Sequence, residues 1–341
     1  EISCSLVGSE MCIRDRCGMR PVDHIQSAVL VDNDIAGVKV PVAQLLFPLA
    51  VLLLLLCMDG TTASYFNGDQ SGAVRTIMNS GIYMALHCLI LAGSNVLVAL
   101  LGCRRIRQPL GGLFRTTDFS GWKAFQYICI GIGLQYVAVL IYAVLKYVGQ
   151  GLGMEFPEVS FDYFQTGQST MLVLLYTCIL APITEELLFR GFLLKSLSVV
   201  NTRFGVIVTA LLFGLMHGNV QQGILGVLVG LFLGKIVVRH NSLTPSILVH
   251  IALNTSSTLI SVLLALLPEN IGNVAILPLE FVVLAMAVMG VAFWFGKERK
   301  EPLPYPTQKQ ATRNRVFWSS PLLLLAFAAL LGLMVYHAMA V

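Results

Sequence analysis

Nine apolar runs dominate this chain of 341 residues, and each is long enough, or nearly long enough, to cross a lipid bilayer. A helix rises about 1.5 Å per residue, so roughly 20 apolar residues span the ~30 Å of hydrocarbon. Only 12% of the residues are charged, against about 25% in a typical soluble domain. We therefore predict an all-α fold, a polytopic transmembrane helical bundle of about eight or nine helices. The runs lie at 41–58, 81–102, 122–148, 170–196, 204–218, 221–238, 243–266, 275–295 and 317–340.

The apolar runs and the segments between them divide the chain into four predicted parts. Residues 2–16 resemble translated sequencing-adapter sequence, and we exclude them from the prediction of the fold. The core is set apart because its apolar runs carry the polar motifs with four-residue spacing that are described below. The four parts are a tail at 1–40, N-terminal transmembrane helices at 41–164, a functional core at 165–267 and C-terminal transmembrane helices at 268–341.

Lys and Arg residues fall almost entirely on one side of an alternating topology. Of the 22 in the chain, 19 lie on the side that holds the N-terminus, Arg75 and Lys146 lie on the other, and Arg190 lies within an apolar run. The positive-inside rule then predicts a cytoplasmic N-terminus. The compact helices favour a bacterial cytoplasmic membrane. The basic residues flank apolar helices and form no patch, so we expect no nucleic-acid partner.

One run carries three charged residues within six positions, namely Glu185, Glu186 and Arg190. A charge at membrane depth is costly unless it is paired or hydrated, so such a cluster marks a functional site. Glu186 and Arg190 are four residues apart, which is the spacing of an ion pair within a helix. Glu185 points about 100° away and is left without this partner, which makes it the candidate general base. Pro182 removes one backbone hydrogen bond and predicts a kink.

Two neighbouring runs carry further polar residues at the same spacing. Phe213 and His217 are four residues apart near the end of the fifth run, and His250 and Asn254 are four apart in the seventh. Residues four apart share one face of a helix. From the rise of a helix, Glu185, His217 and His250 can all lie near the middle of the membrane. We expect them to meet there, in a cavity that is open to the cytoplasmic side.

The sixth run carries Gly226, Gly230 and Gly234 at a constant spacing of four residues. Small residues on one face let helix backbones approach closely where lipid removes the hydrophobic driving force. We expect this face to pack against the helices that carry the polar residues. The fifth and sixth runs are short and are joined at Gly218 and Asn219, which predicts a helical hairpin.

The three motifs together resemble those of the CPBP family. They are EExxxR beginning at Glu185, FxxxH beginning at Phe213 and HxxxN beginning at His250. This family comprises CAAX prenyl-protein endopeptidases and bacteriocin-processing or self-immunity membrane proteins. The resemblance covers about 165–265. It implies an intramembrane endopeptidase that hydrolyses a peptide bond of a membrane-associated protein or peptide with a glutamate-activated water.

The resemblance also implies a role for each residue of the motifs. Glu185 would activate the water, and His217 would hold this water and shuttle its proton. His250 and Asn254 would stabilise the developing oxyanion, as hydrogen-bond donors do best in a water-poor site. No cofactor is implied. The residues that the family pattern places in support of the site are Glu186, Arg190 and Phe213.

Two other functions fit the same pattern in part. Glu185, His217 and His250 could supply the three ligands of a catalytic zinc, although the HExxH helix of many zinc proteases is absent. A non-proteolytic self-immunity or peptide-binding membrane protein would carry the same motifs. The substrate is likewise open between a prenylated CAAX tail, a bacteriocin-type leader and another membrane-associated peptide. The sequence carries no signal for an oligomeric state.

Overall fold

The structure, a computed structural model, describes residues 81–116, 118–153, 167–198, 202–296 and 298–300, with Ala328 and Gly332. These residues form helices joined by short turns, and the described ranges include no strand. Six of the helices are long and apolar enough to cross a membrane. The all-α transmembrane bundle is therefore confirmed. The helix predicted at 41–58 lies outside the described residues, as does nearly all of the one predicted at 317–340.

The helices follow the predicted apolar runs within a few residues. In chain order they are α1 Gly81–Arg105, α2 Leu110–Leu113, α3 Gly121–Gly151, α4 at 167–198, α5 Thr202–Leu215, α6 Val220–His240, α7 Thr244–Leu266, α8 Glu269–Ala275 and α9 Leu277–Gly296. A 3₁₀ turn, Glu298–Lys300, follows α9. The sequence did not predict α2 and α8, because helices of 4 and 7 residues are too short to show a helical period.

The backbone hydrogen bonding of α4 changes from α-helical to π-helical on both sides of the segment that carries the two glutamates. Pro182 lies at the start of that segment, where its missing N–H interrupts the backbone hydrogen bonds. The residues before Pro182 form a π-helical segment, in which each N–H bonds five residues back. Such segments are frequent at functional sites. The segments of α4 are α-helical Gly167–Leu175, π-helical Tyr176–Leu180, α-helical Ala181–Glu186, π-helical Leu187–Leu193 and α-helical Leu194–Ser198.

Helices α5 and α6 form the hairpin predicted from the sequence. Helix α5 ends at Leu215, and Gly218 turns the chain with a φ of 68°, a conformation that favours glycine. The side chain of Asn219 caps α6 by accepting a hydrogen bond from the N–H of Gln222 at 2.8 Å. His217 lies in this turn, after the end of α5, and not inside the helix as we predicted.

The glycine face of α6 packs against α5 in an antiparallel arrangement. A Cβ atom added at Gly226 would lie 2.8 Å from the Cα atom of Gly214, which is closer than such atoms approach in proteins. The predicted packing is therefore confirmed, and it holds Phe213 and the following turn against α6. The three glycines Gly226, Gly230 and Gly234 lie against Gly214, Ala210 and Val206, respectively.

Glu298, in the turn after α9, connects three helices at one face of the bundle. Its carboxylate accepts hydrogen bonds from Lys123 of α3 at 2.9 Å and from Arg239 of α6 at 2.5 Å, and Lys235 lies 3.3 Å away. Burial raises the pKa of Glu298, but the hydrogen bond from Lys123 and the neighbouring positive charges outweigh this effect and hold the pKa below its ordinary value. The start of α3 and the ends of α6 and α9 thus share one face, as an alternating topology requires.

Replacing Glu298 by Gln is expected to destabilise the protein at neutral pH by on the order of 1.5–3 kcal/mol, because charged hydrogen bonds are lost. A carboxyl group whose pKa is lowered on folding stabilises the fold above its unfolded pKa of about 4.3, and this effect is lost as the pH falls through the folded value. The unfolding temperatures of wild type and Glu298→Gln should therefore differ at about pH 7 and converge only as the pH falls below the lowered pKa of folded Glu298. Glu280→Gln, in α9, is the matched control. A difference that stays constant at low pH contradicts this account.

Candidate active site

The ion pair predicted within α4 forms the buried centre of the site. Nη1 of Arg190 donates to Oε1 of Glu186 at 2.7 Å, and both side chains are fully buried. Nη2 donates to the backbone carbonyl of Gly230 in α6 at 3.3 Å. The ring of Phe213 in α5 lies 4.4 Å from the guanidinium carbon. A charge buried this deeply needs both a counter-ion and further partners, and Arg190 obtains them from three helices.

His250 of α7 lies between the two glutamates. Its Nδ1 is 3.2 Å from Oε1 of Glu186, and its Nε2 is 3.7 Å from Oε2 of Glu185. The carboxylate of Glu186, ionised beside Arg190, can only accept a hydrogen bond, so Nδ1 of His250 carries a hydrogen. Nε2 is thereby directed towards Glu185. The sequence predicted that Glu185 has no partner on its own helix, and the structure places His250 of another helix beside it.

Glu185 and Glu186 differ in their access to the surroundings. The side chain of Glu185 is 12% exposed, whereas that of Glu186 is 0% exposed. Adjacent residues of a helix point about 100° apart, so two neighbours can contact one imidazole and still lie in different environments. Glu186 is occupied by Arg190 and His250. Of the two carboxylates, Glu185 is therefore the one that can contact a water or a substrate.

Phe213 brings the two histidines together. Its ring centroid lies 5.2 Å from that of His217 and 5.6 Å from that of His250, with edge-to-face geometry in both cases. Nδ1 of His217 lies 2.8 Å from the backbone carbonyl oxygen of Phe213. A carbonyl can only accept, so this nitrogen carries the hydrogen and Nε2 of a neutral His217 is left to accept a proton. Both histidines thus contact the same aromatic ring.

Asn254 contacts the backbone of α4. Its Nδ2 donates to the carbonyl oxygen of Thr177 at 2.9 Å, within the π-helical segment Tyr176–Leu180. Asn254 and His250 share one face of α7 and are one turn apart. Helix α7 therefore contacts α4 at two places along its length, at Thr177 and at the two glutamates. The sequence analysis missed Thr177, because a backbone carbonyl leaves no mark in a pattern of side chains.

Gly230 is a second residue of the site that sequence reasoning missed. A Cβ atom there would lie 3.1 Å from the Cα atom of Ala210 and 3.4 Å from Nη2 of Arg190. Glycine therefore allows the backbone of α6 to approach the guanidinium closely. The constant glycine spacing did predict close packing at this position. It could not show that the carbonyl of Gly230 accepts a hydrogen bond from the buried arginine.

The described side chains do not form a metal site. Within the described ranges, no group of three His, Cys, Asp or Glu side chains is close enough to hold a metal ion. A catalytic zinc takes three protein ligands and keeps one position open for water. As placed in this structure, Glu185, His217 and His250 do not offer that arrangement.

Part of the chain matches a known protein family. Residues 167–256 match the family model described as type II CAAX prenyl endopeptidase Rce1-like. The matched range begins with α4 and ends within α7, so it contains every site residue that the sequence predicted. Comparisons with curated proteins and with solved structures gave no match. The family match agrees with the resemblance carried by the three motifs. Residues 167–256 thus match an Rce1-like type II CAAX prenyl endopeptidase domain, which is consistent with a CPBP family intramembrane protease.

Proposed function

We propose that the protein is a CAAX-type intramembrane endopeptidase in which Glu185 activates the attacking water. The Rce1-like domain supports the class of reaction. The contacts from Arg190 through Glu186 and His250 to Glu185 carry the assignment of the base. Each group in this series orients the next. The series ends at Glu185, which is the more accessible of the two carboxylates. Preorganised polar groups of this kind are what a water-poor site needs for catalysis.

The proposed mechanism uses His250 with a hydrogen on both ring nitrogens, so that Nδ1–H donates to Glu186 and Nε2–H is available beside Glu185. In that form the two positive groups, Arg190 and His250, face two carboxylates, and this pairing lowers the cost of burying the four groups at membrane depth.

The proposed reaction begins with a water beside Glu185 and His250. Oε2 and Nε2 are 3.7 Å apart, which is too far for a direct hydrogen bond but allows one water to contact both. Glu185 takes a proton from this water. At the same time the oxygen of the water attacks the carbonyl carbon of the peptide bond. A C–O bond forms, and the negative charge moves to the carbonyl oxygen, where Nε2–H of His250 can donate to it.

The tetrahedral intermediate then breaks down with return of the proton. Glu185 donates the proton to the departing nitrogen, the C–N bond breaks, and the amine leaves in neutral form. The carboxylate of Glu185 is thereby regenerated. The remaining proton of the water is released when the new carboxyl group ionises. His217, whose Nε2 can accept a proton, is the proposed acceptor.

The proposed substrate is a membrane-associated protein or peptide, and a prenylated CAAX tail is the first candidate. The two glutamates lie within the span Met171–Ser198, so the scissile bond has to reach the interior of the bundle. A prenyl group favours this because each buried methylene contributes about 0.8 kcal/mol to membrane binding. The orientation with the site open to the cytoplasm stays a prediction from the distribution of Lys and Arg, and the bacterial membrane stays a prediction from the compact helices.

Cleavage of a synthetic peptide tests the proposed function. Purified full-length protein in detergent micelles should cleave a farnesylated CAAX peptide that carries a fluorophore and a quencher, and mass spectrometry should identify the products. A peptide of the same sequence without the prenyl group is the matched substrate control. A bacteriocin-type leader peptide tests the other substrate class. If none of the three peptides is cleaved, an endopeptidase function is contradicted and a binding function is favoured.

Chelators are expected to leave the cleavage rate unchanged within about twofold, because the proposed water is activated by protein groups alone. The measurement compares the rate before and after dialysis against EDTA and then 1,10-phenanthroline. Loss of cleavage on chelation, followed by recovery with added zinc, would overturn the metal-free mechanism and favour the zinc alternative.

A further inference from the structure

The π-helical segment before Pro182 leaves one backbone carbonyl without its main-chain donor. The N–H of Ala181 bonds to the carbonyl of Tyr176, five residues back. The next bond in this register would run from residue 182 to the carbonyl of Thr177. Residue 182 is Pro and has no N–H. The carbonyl of Thr177 therefore needs a donor from elsewhere.

Asn254 supplies that donor from another helix. Its Nδ2 lies 2.9 Å from the carbonyl oxygen of Thr177. A backbone carbonyl without a partner is costly in a membrane, since no bulk water is present to satisfy it. The side-chain amide of Asn254 thus takes the place of the N–H that Pro182 lacks. The bond depends on the proline in α4 and on the asparagine in α7 together.

We infer that Asn254 is a positioning residue, which fixes the segment carrying Glu185 through the carbonyl of Thr177. This inference rests on the proposed function of Glu185 and departs from the oxyanion role that the family resemblance implied for Asn254. Pro182 and Glu185 lie in the same short α-helical segment, Ala181–Glu186. The bond from Asn254 holds the π-helical turn that leads directly into that segment, and His250 contacts the glutamates at the far end of the segment.

The two attachments explain why one turn of α7 carries both residues. His250 and Asn254 are one turn apart and face the same helix. With a single attachment, α4 could rotate or slide relative to α7, and Glu185 would move away from Nε2 of His250. A displacement of about 1 Å can cost on the order of 100-fold in rate. The second attachment prevents that displacement.

A double-mutant cycle with Pro182→Ala and Asn254→Ala tests the inference. Alanine at position 182 returns a backbone N–H that can pair with the carbonyl of Thr177. We expect Asn254→Ala alone to lower kcat by about 10- to 100-fold. The kcat of the double variant should be at least about tenfold higher than that of Asn254→Ala. If Asn254 donates to the oxyanion, the double variant stays as slow as Asn254→Ala. That result overturns the inference.

Thermal unfolding gives a second readout that does not depend on catalysis. In the Glu185→Gln background, Asn254→Ala should lower the unfolding temperature, and Pro182→Ala should restore it. Ser257→Ala is the matched control, because the Ser257 hydroxyl bonds only carbonyls of its own helix among the described residues. If Pro182→Ala does not fold, Asn254→Ala and Ser257→Ala are compared in the wild-type protein. An unchanged unfolding temperature for Asn254→Ala overturns the inference. This result does not depend on whether Glu185 is the general base.

Discussion

Glu185→Gln slows peptide cleavage by at least about 100-fold in a protein that stays folded, and we expect this to be the largest effect of any single change on activity. Glutamine has nearly the same shape but cannot take a proton from water. Loss of a general base lowers the rate by roughly 10²–10⁴-fold. The buried pair of Glu186 and Arg190 is untouched by the change. The unfolding temperature should therefore remain close to that of the wild type.

Cleavage of the farnesylated peptide and thermal unfolding are measured on the same purified sample. Glu280→Gln makes the same chemical change in α9, outside the site, and should keep the wild-type rate. A folded Glu185→Gln protein that cleaves at the wild-type rate would remove Glu185 from the mechanism. A variant that loses cleavage but keeps full self-immunity activity in cells would show that the biological role does not need hydrolysis.

Arg190→Met is expected to have the largest effect on stability. The change removes the guanidinium from beside the buried carboxylate of Glu186, and breaking a buried pair in this way costs about 3–5 kcal/mol. The carbonyl of Gly230 and the ring of Phe213 lose a partner at the same time. A typical protein has only about 5–15 kcal/mol of stability in total. The unfolding temperature and the yield of folded protein in detergent measure the loss.

Removal of both charges separates stability from activity. Replacing a buried ion pair by apolar residues is often neutral, so Glu186→Leu combined with Arg190→Met should recover much of the stability. Cleavage should remain at least about 100-fold below wild type, because Nδ1 of His250 then lacks the carboxylate that orients the ring. Arg104→Met, at an exposed position of α1, is the matched control. An Arg190→Met protein as stable as wild type, or a double variant that cleaves normally, contradicts these roles.

The features that could be predicted from the sequence are those that one helix determines by itself. The apolar runs gave helix positions within a few residues, since a long buried helix has a clear length and composition. The pairing of Glu186 with Arg190 followed from their spacing of four residues. The glycine spacing likewise predicted that α6 packs closely against a neighbour. Each of these predictions needs knowledge of only one helix.

The features that could not be predicted depend on how helices are rotated against one another. His250 contacts both glutamates because α7 is turned so that one imidazole reaches two adjacent residues of α4. The bond from Asn254 to Thr177 depends on a π-helical register that no spacing of side chains reveals. His217 lies beyond the end of α5 because Gly218 turns the chain there. Its position relative to Glu185 therefore could not follow from counting helical turns.

The location of the buried ion pair within one helix has a consequence for how the protein is made. In the two-stage model of membrane-protein folding, helices insert first and associate afterwards. Glu186 and Arg190 are one turn apart on α4, so they can neutralise each other before any other helix is present. An arginine whose counter-ion lay on a different helix would enter the bilayer unpaired. We therefore expect the free-energy cost of inserting α4 to be close to that of burying the single charge of Glu185. It should be well below the cost of burying Glu185, Glu186 and Arg190 as three separate charges.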